Sequence, residues 1–168
     1  VNTNGSIKVN RNFQKTNKNI YAIGDVIDYL NLTPIAIRQG QFISEKLFNH
    51  KSIEYDFLNV PTAVFSSPQL ASVGLTEDIA KKNKIDCYEL VAEFKSMKKS
   101  FKKNFKDTFY KLVIEKNTKK VIGAHLLSDE AAELIQLLGI LIVSGVTIDQ
   151  FKKTIAIHPT SSEELITI

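Results

Sequence analysis

The sequence predicts an α+β fold in which residues 57–168 form an antiparallel β-sheet with helices on one side. Five short runs of β-forming residues, bounded by turn residues, follow Pro61. One stretch with helical spacing interrupts these runs and a second follows them, and the smaller segment 1–56 ends in a polar connector at 49–56. With 43% hydrophobic and 24% charged residues, the composition is that of a chain that folds.

The first segment is predicted to hold two short strands and one helix. Residues 6–10 alternate as an edge strand does, and residues 19–25 form a short apolar run that stops at Gly24-Asp25. A buried strand that ends in this way usually delivers its aspartate to a ligand site. Pro34 suits a first helical turn, and apolar residues at helical spacing continue to Phe48.

The second segment is predicted to contain five strands and two helices. The strands lie near 62–65, 71–74, 88–94, 109–115 and 120–126, with a turn at 117–118. Thr76 can cap a helix that ends near Asn83, and Ser128 can open a second helix that Gly145 ends. Apolar residues at 134–143 surround almost the whole of this second helix. One face should meet the sheet and another needs a different partner, so we expect a subunit interface there.

Cysteine and histidine usage excludes several kinds of site. Cys87 is the only cysteine, so these residues hold no disulfide, no redox dithiol and no metal site built from several thiolates. Three scattered histidines do not have metal-ligand spacing, and no metal is predicted. His125 lies in an alternating strand and His50 ends a helix, so both are interpreted as structural.

Charge and hydropathy give the expected surroundings of the protein. Residues 81–120 hold 13 lysines against five acidic residues and could attract an anion, but arginine-plus-aromatic clusters are missing. A solvated face is favoured, and no nucleic acid partner is predicted. The apolar run at 134–143 is shorter than the roughly 20 residues of a membrane span. The start at Val1 shows no signal-peptide pattern, and we expect no membrane association and a cytoplasmic location.

The segment 158–164, HPTSSEE, carries the strongest chemical signal. Imidazole titrates near neutral pH, and a carboxylate such as Glu163 would orient His158 and favour its protonated form, which makes an acid/base dyad. The same letters also match a capping box from Thr160 to Glu163, which would give Glu163 an ordinary role at a helix start. Both interpretations stay open on these residues alone. No nucleophile elbow, dinucleotide fingerprint or phosphate loop occurs.

Several segments in order resemble the pyridine nucleotide–disulfide reductase family. They are TNKNIYAIGD at 16–25, LTPIA at 32–36, SVGLTE at 72–77, GAHLL at 123–127 and HPTSSEE at 158–164. The first resembles the second flavin motif of the family and the last resembles its carboxy-terminal signature. The resemblance implies that 1–56 is the C-terminal piece of an FAD-binding domain and that 57–168 is the dimerisation, or interface, domain.

The resemblance also implies roles for individual residues. Asp25 would bind the ribityl chain of FAD, with Leu32 and Thr33 beside the flavin ring. His158, held by Glu163, would be the acid/base that serves the disulfide of the opposite subunit in a homodimer.

Residues 155–165 are most similar to the glutathione reductases of this family. That similarity implies NADPH as reductant and glutathione disulfide as substrate. Met97, Glu164 and Thr167 fall where glutathione reductases contact the disulfide, although Lys98 departs from the aromatic found there in some members.

The first glycine-rich flavin motif, the redox cysteine pair and the NADPH-binding domain of the family have no counterpart in these residues. We therefore expect the chain to be the carboxy-terminal part of a longer enzyme and to be inactive alone. Two alternatives remain. The chain could be an isolated, non-catalytic dimerisation module, or the equivalent part of a dihydrolipoamide dehydrogenase or another disulfide reductase.

Overall fold

The computed structural model describes residues 1–49, 57–95 and 108–168. The chain divides into two compact units, Val1–Phe57 and Leu58–Ile168. Each unit is built around its own elements.

The first unit contains a 3-10 helix, Gly24–Ile27, and the helix α1, Thr33–Phe48. The helix prediction is confirmed, with Pro34 in the first turn. The predicted strands at 6–10 and 19–25 are wrong, because a single isolated bridge, Gln14 to Tyr21, replaces a ladder. Backbone donors in these runs bond outside any ladder: the Ile7 N–H donates to the carbonyl of Val26 in the 3-10 helix at 2.8 Å.

A tight contact joins Gly24 to α1. Gly24 has φ +69°, which glycine adopts without strain, and a Cβ built on it would lie 3.2 Å from the Cβ of Ala36. Its N–H donates to Oε1 of Gln39 at 2.7 Å, and Gln39 is 1% exposed. A buried side-chain amide therefore fixes the turn that places Asp25.

The second unit is a five-stranded antiparallel sheet, which confirms the predicted α+β class. The spatial order is β1-β2-β5-β4-β3. The strands are β1 (Thr62–Val64), β2 (Gln69–Gly74), β3 (Cys87–Phe94), β4 (Thr108–Glu115) and β5 (Val121–Ser128). All five predicted strands are therefore present, with boundaries that shift by a few residues at most.

Four helices accompany the sheet in the described part of this unit. They are α2 (Glu77–Lys82), α3 (Ala131–Val143), α4 (Ile148–Lys153) and α5 (Glu164–Thr167). Thr76 caps α2 as predicted, by accepting from the N–H of Ile79 at 3.3 Å. The predicted cap at Ser128 is wrong, because Ser128 pairs with Gln69 as the last residue of β5 and α3 begins three residues later.

The core lies between the sheet and α3, which packs on β1, β2 and β5. The inward residues of α3 recur at helical spacing, as Ile135, Leu138 and Ile142. Leu137 and Ile140 point elsewhere and stay 59% and 57% exposed. The described part of the chain contains no helix long and apolar enough to cross a membrane.

Candidate acid/base site

A loop between two buried anchors presents His158. Phe151 at the end of α4 and Leu165 in α5 are both buried in the core, and the two helices contact each other. Between them, Ile155 and Ile157 are 92% and 73% exposed. The loop is therefore tied down at its ends, while its middle projects from the core.

His158 and Glu163 form an ion-pair contact at the end of this loop. Nδ1 of His158 lies 2.9 Å from Oε2 of Glu163. An ionised carboxylate can only accept, so Nδ1 is the donor and the Nε2 edge of the ring remains for another group. The imidazole side chain is 75% exposed, whereas the carboxylate side chain is 19% exposed. A fairly sheltered acid thus orients an imidazole that faces outward.

The capping-box interpretation of Thr160 and Glu163 is wrong. Thr160 occupies the N-cap position of a 3-10 helix, Ser161–Glu163, but its side chain makes no cap hydrogen bond. Its hydroxyl instead donates to the carbonyl of Ile157 at 2.7 Å. The capping box of this unit lies at Thr147 and Gln150, which open α4 and which the sequence analysis did not identify. The Thr160 side chain therefore bonds within the loop that carries His158 and does not cap the helix.

Two of the three predicted substrate residues, Glu164 and Thr167, lie together in α5. Oγ1 of Thr167 lies 3.2 Å from Oε2 of Glu164 and 3.4 Å from the carbonyl oxygen of Glu163, and its single proton is donated to one of these two acceptors. The next residue, Leu165, is buried and anchors this helix. Met97, the third predicted substrate residue, lies outside the described residues.

In the first unit, the predicted cofactor residues sit at two element starts. Asp25 is the exposed second residue of the 3-10 helix, and Leu32 and Thr33 form the start of α1. Leu32 supplies no side-chain cap and Pro34 has no N–H, so among the first-turn amides of this 16-residue helix the Thr33 N–H keeps a partial positive charge. A carboxylate suits the hydroxyls of a ribityl chain, and such amides suit the oxygens of a flavin ring. The residues present therefore fit the group that the resemblance implies.

An ion-pair cluster that the sequence analysis missed joins α2 to the sheet. Nζ of Lys111 contacts both carboxylate oxygens of Glu77, at 3.0 and 2.8 Å. A hydrogen bond with Glu89 and then the Lys111 ammonium lower the pKa of Glu77 to about 2, while Glu77 raises the pKa of Glu89. The sequence offered two indications of this cluster. Acidic residues directly follow the Thr76 cap, and the alternation along β4 places Lys111 on the face opposite to its core residues.

His125 lies beside this cluster and is structural in its contacts. Its Nε2 lies 3.2 Å from the carbonyl oxygen of Leu75, and burial lowers the pKa of its imidazole. His50 lies outside the described residues. Within the described ranges, no group of three or more His, Cys, Asp or Glu side chains could hold a metal.

Comparison with known proteins identifies the family. The model of the pyridine nucleotide-disulphide oxidoreductase dimerisation domain matches residues 60–168. The chain belongs to this family. A glutathione reductase from Nostoc sp. is 40% identical over 99% of this chain, and a chloroplastic/mitochondrial glutathione reductase from Pisum sativum is 36% identical over 100% of it.

The relatives are longer than this chain. It spans 37% of the length of the Nostoc protein and 30% of that from Pisum sativum. Among solved structures, the HOCl-induced flavoprotein disulfide reductase RclA from Escherichia coli superposes with a TM-score of 0.85 and 27% identity. The match covers 100% of this chain and 39% of RclA. The predicted family and the fold of its dimerisation domain are confirmed.

Proposed function

We propose that this chain is the C-terminal part of an FAD-dependent, NADPH-dependent disulfide reductase that acts on glutathione disulfide. The observation that carries the proposal is the 2.9 Å contact between His158 and Glu163 in a segment that would otherwise cap a helix. Relatives named glutathione reductase, at 36–40% identity, support the substrate class. Residues 1–56 then belong to the FAD-binding domain and 57–168 form the interface domain.

The chain would contribute only part of the cofactor site. FAD, when bound, would pass reducing equivalents from NADPH to a redox-active cysteine pair. Asp25 would hold hydroxyls of the ribityl chain, and Leu32 with the N–H of Thr33 would lie beside the flavin ring. NADPH and most of the FAD would be held by residues outside this chain, because no glycine-rich nucleotide motif occurs in it.

His158 would handle the proton of the disulfide exchange. Attack of an enzyme thiolate on glutathione disulfide forms a mixed disulfide and expels one glutathione thiolate. The imidazolium would give its Nε2 proton to that thiolate, and the neutral imidazole would later take a proton from an attacking thiol. The Glu163 carboxylate would stabilise the imidazolium and fix the tautomer. Met97, Glu164 and Thr167 would contact the glutathione disulfide.

The site is proposed to act across a homodimer. His158 is largely exposed, and α3 keeps an apolar face that the sheet of its own unit does not cover. Burial of that face against a second copy would form a symmetric interface. His158 would then serve the cysteine pair of the opposite subunit. The proposal places the enzyme in the cytoplasm, which fractionation of the source cells tests.

The experiment is the His158→Gln variant of the full-length enzyme, assayed by its two half-reactions. Turnover of glutathione disulfide should fall by about 10²–10⁴-fold, the usual contribution of a positioned acid/base. Flavin reduction by NADPH should survive, because it needs no proton from His158. Glu163→Gln should do less harm, since the imidazole remains and loses only its orienting partner. Near-normal disulfide turnover in the folded His158→Gln variant would refute the proposal.

A further inference from the structure

A chain of hydrogen bonds runs beside the His158–Glu163 contact. The hydroxyl of Thr160 donates to the carbonyl of Ile157 at 2.7 Å and lies 2.9 Å from the hydroxyl of Ser162. A hydroxyl has a single proton. Because Thr160 gives its proton to the carbonyl, Ser162 must be the donor in the second bond. The direction is therefore from Ser162 to Thr160 to Ile157.

This chain of bonds joins the neighbours of both dyad residues. Ile157 precedes His158 and Ser162 precedes Glu163. Thr160 thus connects the two residues that directly precede the imidazole and the carboxylate in the chain. The same hydroxyl makes no hydrogen bond to the N–H groups of the following helix, although Thr160 has the extended backbone (φ −139°, ψ 157°) of an N-cap residue.

Packing does little to hold the loop at this point. The apolar side chains before the histidine, Ile155 and Ile157, are 92% and 73% exposed, and the imidazole itself is 75% exposed. Apolar side chains that stay in water add little to the rigidity of a loop. Packing therefore contributes little to the shape of the loop around His158, whereas the bond from Thr160 to Ile157 spans this residue directly.

We propose that Thr160 is a positioning residue for the dyad. Its hydroxyl holds the turn at 157–160 so that Nδ1 of His158 faces Glu163 and Nε2 faces outward. The placement of the ring is a claim about this chain by itself. Only the catalytic consequence rests on the proposed function.

The test compares three variants of the 168-residue chain. Thr160→Val keeps the shape of the side chain and removes the hydroxyl, and Thr160→Ser restores the hydroxyl without the methyl group. Ser161→Ala is the matched control, since that hydroxyl lies one residue along and takes no part in the bonds described. Long-range ¹H–¹⁵N NMR at pH 8.5, where free imidazole is neutral, reports which ring nitrogen carries the proton.

The bond between Nδ1–H and Glu163 should make the Nδ1–H tautomer of His158 abundant in the parent chain. Thr160→Val should lower the ratio of Nδ1–H to Nε2–H by about 3–10-fold, the net effect of one hydrogen bond. Thr160→Ser should restore the ratio to within about twofold, and Ser161→Ala should leave it unchanged. An unchanged ratio in Thr160→Val, or a Thr160→Ser variant that behaves like it, would overturn the proposal.

A second variant keeps the test decisive if Thr160→Val does not fold. Thr160→Ala removes the same hydroxyl and leaves no branched side chain to accommodate, so it should also lower the ratio, and an unchanged ratio contradicts the proposal. In the full-length enzyme, Thr160→Val should reduce kcat for disulfide reduction with KM unchanged. If the NMR result holds but His158→Gln keeps its turnover, the proposed function fails while the positioning role of Thr160 stands.

Discussion

Replacement of Leu137 by Asp should dissociate the proposed dimer. Leu137 lies on the outward face of α3 and is 59% exposed, next to Ile140 at 57% and Leu141 at 38%. Its neighbour Leu138 is 3% exposed and points into the core. The substitution therefore changes the outer face of the helix without opening a cavity beneath it.

The size of the effect follows from the exposed fraction. Full burial of a leucine side chain stabilises by about 1.5–3 kcal/mol, so burying the exposed part of Leu137 gives about 1–2 kcal/mol. A symmetric interface contains the residue twice, which makes about 2–4 kcal/mol for the dimer. Since 1.4 kcal/mol is a factor of ten, the dimer Kd should rise by about 30–700-fold. The buried charge of the aspartate adds to this loss.

Sedimentation equilibrium over a concentration series measures that Kd. Ile79→Asp is the matched control, because Ile79 is an exposed apolar residue (44%) in the first turn of α2, a helix that packs on β3, and an acidic side chain is tolerated in a first turn. Circular dichroism checks that both variants fold. A Leu137→Asp variant that associates as tightly as the parent chain, or a parent chain that is monomeric at every concentration, would refute the reasoning.

Three further predictions concern acid stability, a buried phenol and activity. Because the pKa of Glu77 is lowered to about 2, its contribution to stability is complete above about pH 4.5 and is lost as the pH falls from there towards 2. Screening and the opposite shift of Glu89 leave about 1–2 kcal/mol. Because the hydrogen bond with Glu89 is the first cause of the shift, Lys111→Met should remove only the smaller share that comes from Lys111, below about 1 kcal/mol in urea unfolding at pH 7, and Lys116→Met in its exposed pair should remove less. Within the described residues the buried hydroxyl of Tyr110 has no hydrogen-bond partner. Tyr110→Phe should therefore leave the free energy of unfolding unchanged or raise it by up to about 2 kcal/mol, as measured by thermal unfolding. A loss above about 1 kcal/mol would instead indicate that the hydroxyl bonds to its neighbour Ser128. The 168-residue chain should purify colourless and show no NADPH-dependent disulfide reduction, and measurable turnover would contradict its proposed place in a larger enzyme.

The sheet could be predicted from the sequence because its signals are local. Alternation along β4 and β5 and the turn between them specify a hairpin, and the threonine before α2 is a cap in both pattern and structure. The errors arose where a distant partner decided the outcome. Ser128 sits before two acidic residues, as a cap would, but its ladder with Gln69 keeps it in the strand. The apolar run at 19–25 failed as a strand because its neighbours supply a bridge and a buried glutamine, not a ladder.

The candidate site also shows that local sequence does not always decide structure. Two segments of the second unit carry the same capping-box pattern and fold differently. Thr147 and Gln150 form a complete capping box at the start of α4, while Thr160 and Glu163 have the same spacing and form none. A cap contributes about 0.5–2 kcal/mol, whereas an ion pair at the protein surface contributes about 0.2–1 kcal/mol. Because the His158 side chain is 75% exposed, its contact with Glu163 recovers only part of the lost cap, so the segment loses local helix stability while it orients an exposed imidazole. Such a conflict between local rule and structure is expected where a residue serves function, and it explains why the letters alone could not separate a cap from a dyad.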